Sequence, residues 1–88
     1  MNGAKVIESR YSTSDLYFAS YLKAAGVSFL NAEKEGRKVV FVFERVDSIR
    51  DLKQEYFNRT AKISALTFVD EIRNLKSLTY MCLKERDD

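Results

Sequence analysis

The chain has 88 residues, one domain's worth, and a domain of this size buries only roughly 60–65% of the surface its unfolded chain exposes. Fifteen Lys and Arg against thirteen Asp and Glu leave a net charge of +2, far from the balance of a protein whose main task is holding a polyanion. With no histidine and a single cysteine, Cys82, the chain can build neither a Ser-His-Asp or Cys-His nucleophile, nor a CxxC or histidine-based zinc site, nor an intrachain disulfide.

Residues 1–10 carry Val6 and Ile7 in a largely polar stretch and read as a flexible end, with a short added strand as the other reading. The single domain is expected over 11–84, and 85–88, all charged, as a frayed tail. Nothing resembles a signal peptide or an apolar run of about 20 residues, so a cytoplasmic protein away from membranes is expected.

The first helix is expected to open at Tyr11-Ser12-Thr13-Ser14-Asp15-Leu16. Ser12 is placed as N-cap, Asp15 at the third helical position, and Tyr11 with Leu16 as a hydrophobic staple. Gly26 is expected to end this helix as a left-handed cap. Phe18, Leu22 and Ala25 make one apolar stripe, and Tyr17, Tyr21 and Ala24 make another, so the helix is apolar over much of its circumference.

A hairpin follows. Val27–Ala32 and Lys38–Glu44 supply the strands, the second rich in β-branched and aromatic residues. With the turn at Glu35-Gly36, Ala32 faces Val39, Leu30 faces Phe41 and Ser28 faces Phe43 on one side. Phe29 then lies across from Val42 on the other side, near Val40. Both sides carry large apolar groups, and a lone two-stranded ribbon is marginal in water.

A second helix is expected from about Ser48 to Phe57, with Ile49, Leu52 and Tyr56 as its apolar stripe. The last and longest helix should start after an N-cap at Ser64, with Ile63 and Phe68 as staple. Phe68, Ile72, Leu75, Thr79 and Cys82 form its core stripe, and Arg73, Lys76, Tyr80 and Lys84 a basic strip bearing one aromatic. The architecture read from these elements is α+β in the order α-β-β-α-α, an antiparallel hairpin packed on three helices and open to sheet extension by dimerisation.

Several stretches resemble a known family of short uncharacterised bacterial and phage-borne proteins, a domain of unknown function. They are Tyr11 to Leu22 followed by Gly26, Gly36 to Glu44, the Tyr56-Phe57-Asn58 step, and Ile72-Arg73-Asn74-Leu75-Lys76. The similarity spans residues 11–80 and implies a bacterial or phage source. It carries over no catalytic residue.

The function expected from all this is a non-catalytic, homodimeric protein-interaction module without cofactor or metal. Its contact residues would be Tyr17, Tyr21, Phe29, Val40 and Val42, because these strands and the helix before them hold more apolar surface than one copy has room to hide. Adjacent acids such as Asp70-Glu71 are read as solvent-facing, Cys82 as a small hydrophobe, and Gly36 as too isolated for a phosphate loop. The alternative is a nucleic-acid-binding accessory protein touching phosphates through Arg37, Lys38, Arg73 and Lys76.

Overall fold

The computed structural model describes residues 10–84. They form β1 (Arg10–Thr13), α1 (Leu16–Ala24), β2 (Phe29–Glu35), β3 (Lys38–Glu44), α2 (Ser48–Phe57) and α3 (Ala65–Lys84). The strands make one antiparallel sheet in the order β1-β3-β2. The fold is α+β, as expected, with one element more than the sequence suggested. The rest of the predicted flexible segment and the charged tail lie outside the described residues; Arg10, assigned to that segment, begins β1.

That extra strand corrects the start of the first helix. Tyr11, Ser12 and Thr13 pair with Phe43, Val42 and Phe41 of β3, so their backbone is extended and Ser12 does not cap a helix. The cap is Asp15, whose Oδ1 accepts from the amides of Tyr17 and Phe18 at 3.0 Å each. Thr13 Oγ1 accepts from the Asp15 amide at 3.1 Å and closes the turn between strand and helix. Either Ser12 or Asp15 satisfies local capping chemistry; the vacant edge of β3 decides between them, because the ladder satisfies backbone groups that a longer helix would leave to water. Tyr11 therefore meets Phe18 edge-on at 6.4 Å instead of stapling to Leu16.

The end of α1 follows the sequence. Gly26 has φ +96°, and the amides of Gly26 and Val27 donate to the carbonyls of Lys23 and Leu22 at 3.0 Å each, the paired bonds of a Schellman motif.

The hairpin register differs from expectation by two residues. The turn is Gly36-Arg37, with Glu35 opposite Lys38, Lys34 opposite Val39 and Ala32 opposite Phe41. Gly36 takes φ +65° and Arg37 does not follow it into positive φ, as a type II′ turn requires. A two-residue shift leaves each side chain on its face. A bulge at Leu30 does not: it brings Phe29 opposite Phe43, edge-on at 5.4 Å, and turns Leu30 outward. Phe29 is thus half-buried against the core rather than beside Val42.

β3 is the centre of the molecule. Val39, Val40, Phe41, Val42 and Phe43 are all buried, the continuous apolar run expected of a strand enclosed on both faces. Val39, Phe41 and Phe43 join Phe18, Tyr21 and Leu22 of α1, Ile49 of α2 and Leu75 of α3 in one core. Each such side chain contributes about 1.5–3 kcal/mol on burial. Ser20, also fully buried, donates to the Leu16 carbonyl at 2.8 Å.

α2 ends in a second Schellman arrangement: the amides of Arg59 and Thr60 donate to the carbonyls of Tyr56 and Glu55. Here the left-handed position is held by Arg59, at φ +63°, where glycine is the usual occupant. α3 begins as predicted, with the Thr67 amide donating to Ser64 Oγ at 3.3 Å. Ile63 and Phe68 both pack on the core. Lys23 of α1 pairs with Glu71 of α3 at 3.0 Å while lying 5.0 Å from the Phe29 ring, which ties the two helices to β2.

Candidate functional site: the outer face of the last helix

Two stripes run along α3. Phe68, Leu75, Leu78 and Cys82 face the core. On the opposite side Leu66, Val69, Tyr80 and Leu83 stand exposed, at 77%, 40%, 65% and 43%. With Arg73 and Lys76 between them, these residues follow a 3-4-3-4-3 spacing over positions 66, 69, 73, 76, 80 and 83. That is the heptad seam of a helix meant to lie against another helix. Met81 stands exposed beside the stripe. The seam is apolar at both ends and doubly cationic in its middle.

The hairpin turn reaches the same face. Arg37 and Lys38, Lys76 of α3 and the hydroxyl residues Ser14 and Thr79 border a cavity of about 270 Å³ whose floor includes Val39, Phe41 and Leu83. Three of the four cations singled out in the sequence therefore converge, and the fourth, Arg73, lies one helical turn from Lys76. Thr79 Oγ1 is buried there without a hydrogen-bond partner. The floor suits an apolar side chain, and the rim suits a carboxylate or another anion.

The other residues expected to form a contact surface do not do so together. Tyr17 is half-exposed on α1. Tyr21 is buried, its ring 6.3 Å from Phe18 and 5.3 Å from Tyr56. Phe29 packs on Phe43, and Val40 and Val42 are buried on the other side of β3. One protomer holds nearly all of the apolar surface that the hairpin and α1 brought. Five of the nine exposed large apolar residues lie on α3, whose second heptad stripe was the signal for them. In the sequence that stripe is interrupted by Arg73 and Lys76 and reads as a solvated basic strip.

Another cavity, about 730 Å³, opens between α1, α2 and the start of α3, with Tyr21, Glu55, Lys62 and Ser64 on its walls. The Tyr21 hydroxyl donates to Glu55 at a long 3.5 Å. Burial first, then the nearby Glu55 carboxylate, holds the Tyr21 phenol above its usual value of 10.0. Burial likewise raises Tyr56, with Asp15 adding to the effect. Both phenols are neutral at ordinary pH. Among the described residues no three His, Cys, Asp or Glu side chains cluster to hold a metal ion, and Cys82 rests half-buried with its Sγ 3.9 Å from the Ala32 carbonyl oxygen. No described helix is long and apolar enough to cross a membrane.

A family model described as a domain of unknown function (DUF5659) matches residues 8–81, and the chain belongs to that family. No curated protein and no solved structure matches it.

Proposed function

We propose that this member of the DUF5659 family is a non-catalytic interaction module that receives a helix of a partner protein along the outer face of α3. The observation that carries the reading is the exposed heptad seam Leu66-Val69-Arg73-Lys76-Tyr80-Leu83. Five large apolar side chains left in water on one helix are far more than scattered surface residues require.

Charge chooses the occupant. Pairing the seam antiparallel with itself sets Leu66 on Leu83, Val69 on Tyr80, and Arg73 on Lys76. Parallel pairing sets each cation on its own copy. Both arrangements bury like charges at the centre, so a second copy fits poorly. A partner helix with apolar ends and Asp or Glu at its middle fits both the seam and the basic rim formed by Arg37 and Lys38. This moves the expected self-association of the hairpin to a heterotypic contact on α3. The reading places the protein in the cytoplasm of a bacterium or a phage-infected cell, in keeping with a chain that has one cysteine and forms no internal disulfide.

A displayed library of three-heptad helices with randomised seam positions tests this. Enriched sequences should carry Leu or Ile at the ends and Asp or Glu at the centre, and Leu66→Asp or Tyr80→Asp in the domain should remove the enrichment. Recovery of sequences without central acids, or undiminished recovery on both variants, would defeat the proposal.

A further inference from the structure

A second run of cations lies away from α3. Arg45, Arg50 and Lys53 border two adjoining cavities of about 260 and 300 Å³, which share Arg50 and Lys53. On α2 the residues Arg50, Lys53, Gln54 and Phe57 fall at i, i+3, i+4 and i+7, a single face. The core-facing Ile49, Leu52 and Tyr56 occupy another, and the acids Asp51 and Glu55 project away from the basic one. Among the described residues Asp47 is the one carboxylate bordering either cavity. Among the described residues the only ion pair is Lys23–Glu71, and no described carboxylate forms an ion pair with any of these three cations.

An aromatic platform stands at the end of this face. Phe57 is 60% exposed, yet its ring is braced by Tyr56 edge-on at 5.1 Å and by Phe18 at 5.9 Å. Gln54 and Asn58 flank it with amides. Immediately beyond, Arg59 holds a left-handed conformation that glycine adopts at less cost. A further cation thus stands two residues after the ring in the chain at the expense of backbone ease, and such outliers gather at functional positions.

We infer that the α2 face binds single-stranded nucleic acid, with Arg45, Arg50 and Lys53 at phosphates and Phe57 stacked on an unpaired base. The cations alone would serve any polyanion. The braced, exposed ring and its flanking amides favour a ligand with flat faces and hydrogen-bonding edges, which a chain of carboxylates lacks. One ring at the end of a short cationic track suits a splayed strand rather than a duplex, whose bases are stacked on one another. Arg50 and Phe57 are seven residues apart, about 10 Å along the helix, roughly two nucleotide steps. This surface is separate from the α3 seam, and either reading stands without the other.

Fluorescence anisotropy with a labelled mixed-sequence 12-mer, as single-stranded DNA and RNA, at about 20 mM salt tests the inference. The intact chain should bind at least one of the two, and the matching duplex less tightly. Arg50→Ala with Lys53→Ala should flatten the slope of log affinity against log salt by about 1.4, from two phosphates at roughly 0.7 each. Phe57→Ala should weaken binding about tenfold and Phe57→Tyr should restore it, the latter confirming that loss of stacking rather than of fold is responsible. Arg59→Gly should weaken binding while raising the melting temperature, and Arg73→Ala with Lys76→Ala should leave it unchanged. Absence of binding, equal or tighter binding of the duplex, full competition by polyglutamate, or a Phe57→Ala protein that binds normally would overturn the inference.

Discussion

At the scale of single residues, the cap of α1 separates two candidates that look equivalent in the sequence. Asp15 accepts two amide hydrogen bonds, whereas Ser12 sits in β1 with its side chain exposed. Asp15→Ala should therefore cost about 1 kcal/mol in urea denaturation, and Ser12→Ala less than about 0.5 kcal/mol. Tyr21 makes a second test. Its phenol, raised above 10.0 by burial and by Glu55, keeps its proton in the folded state at a pH where the unfolded chain has lost it. A raised folded value means stability that is fully present below pH 10 and is lost as the pH climbs through the folded value. Stability should hold to about pH 9.5 and then fall, and Tyr21→Phe should make that fall shallower. An unchanged alkaline limb in this variant, measured by urea titration, would show that the phenol is not the group responsible.

At the scale of elements, α3 carries opposite roles on its two sides. Leu75 is 1% exposed and touches the core, so Leu75→Ala should destabilise by about 2–5 kcal/mol. Leu66 is 77% exposed, and Leu66→Ala should shift stability by less than about 0.5 kcal/mol. A pair of equilibrium denaturation curves checks both. If Leu66→Ala proves as costly as Leu75→Ala, the outer stripe is part of the fold and not a surface awaiting a partner. β2 shows how an element guards an open edge. Its bulge at Leu30 and the run Glu33-Lys34-Glu35 along the exposed part discourage another strand from adding to the sheet.

At the scale of the whole molecule, the sheet gives little reason for self-association. Among the described residues β3 is enclosed, β1 offers four residues of edge, and β2 is charged and bulged. The α3 seam repels its own copy at the centre. Light scattering after size exclusion should accordingly report a monomer at high micromolar concentration, and a dimer persisting in Leu66→Asp would place an interface elsewhere. The two basic surfaces differ in what surrounds them, which is why they are read differently. Arg37, Lys38 and Lys76 rim an apolar floor next to a heptad seam. Arg45, Arg50 and Lys53 lead to an exposed ring with amides.

Local chemistry by itself determined the second helix and the start of the third to within a residue, the Gly26 and Ser64 caps, the β3 strand and the α+β class. These rest on periodicity, capping and β-branched runs, which act over a few residues. The presence of β1, the Asp15 cap, the shifted turn and the inward place of Phe29 were decided by tertiary structure. The first two depend on whether an edge of β3 is vacant or filled, a property of segments some 30 residues apart, and the last two on the register and bulge between β2 and β3. The cationic residues on α3 were visible in the chain, but their company was not. Only packing revealed that Arg37 and Lys38 meet Lys76, because the side of α3 facing the core is chosen by where Leu75 finds room, and the other stripe is whatever that choice leaves outside.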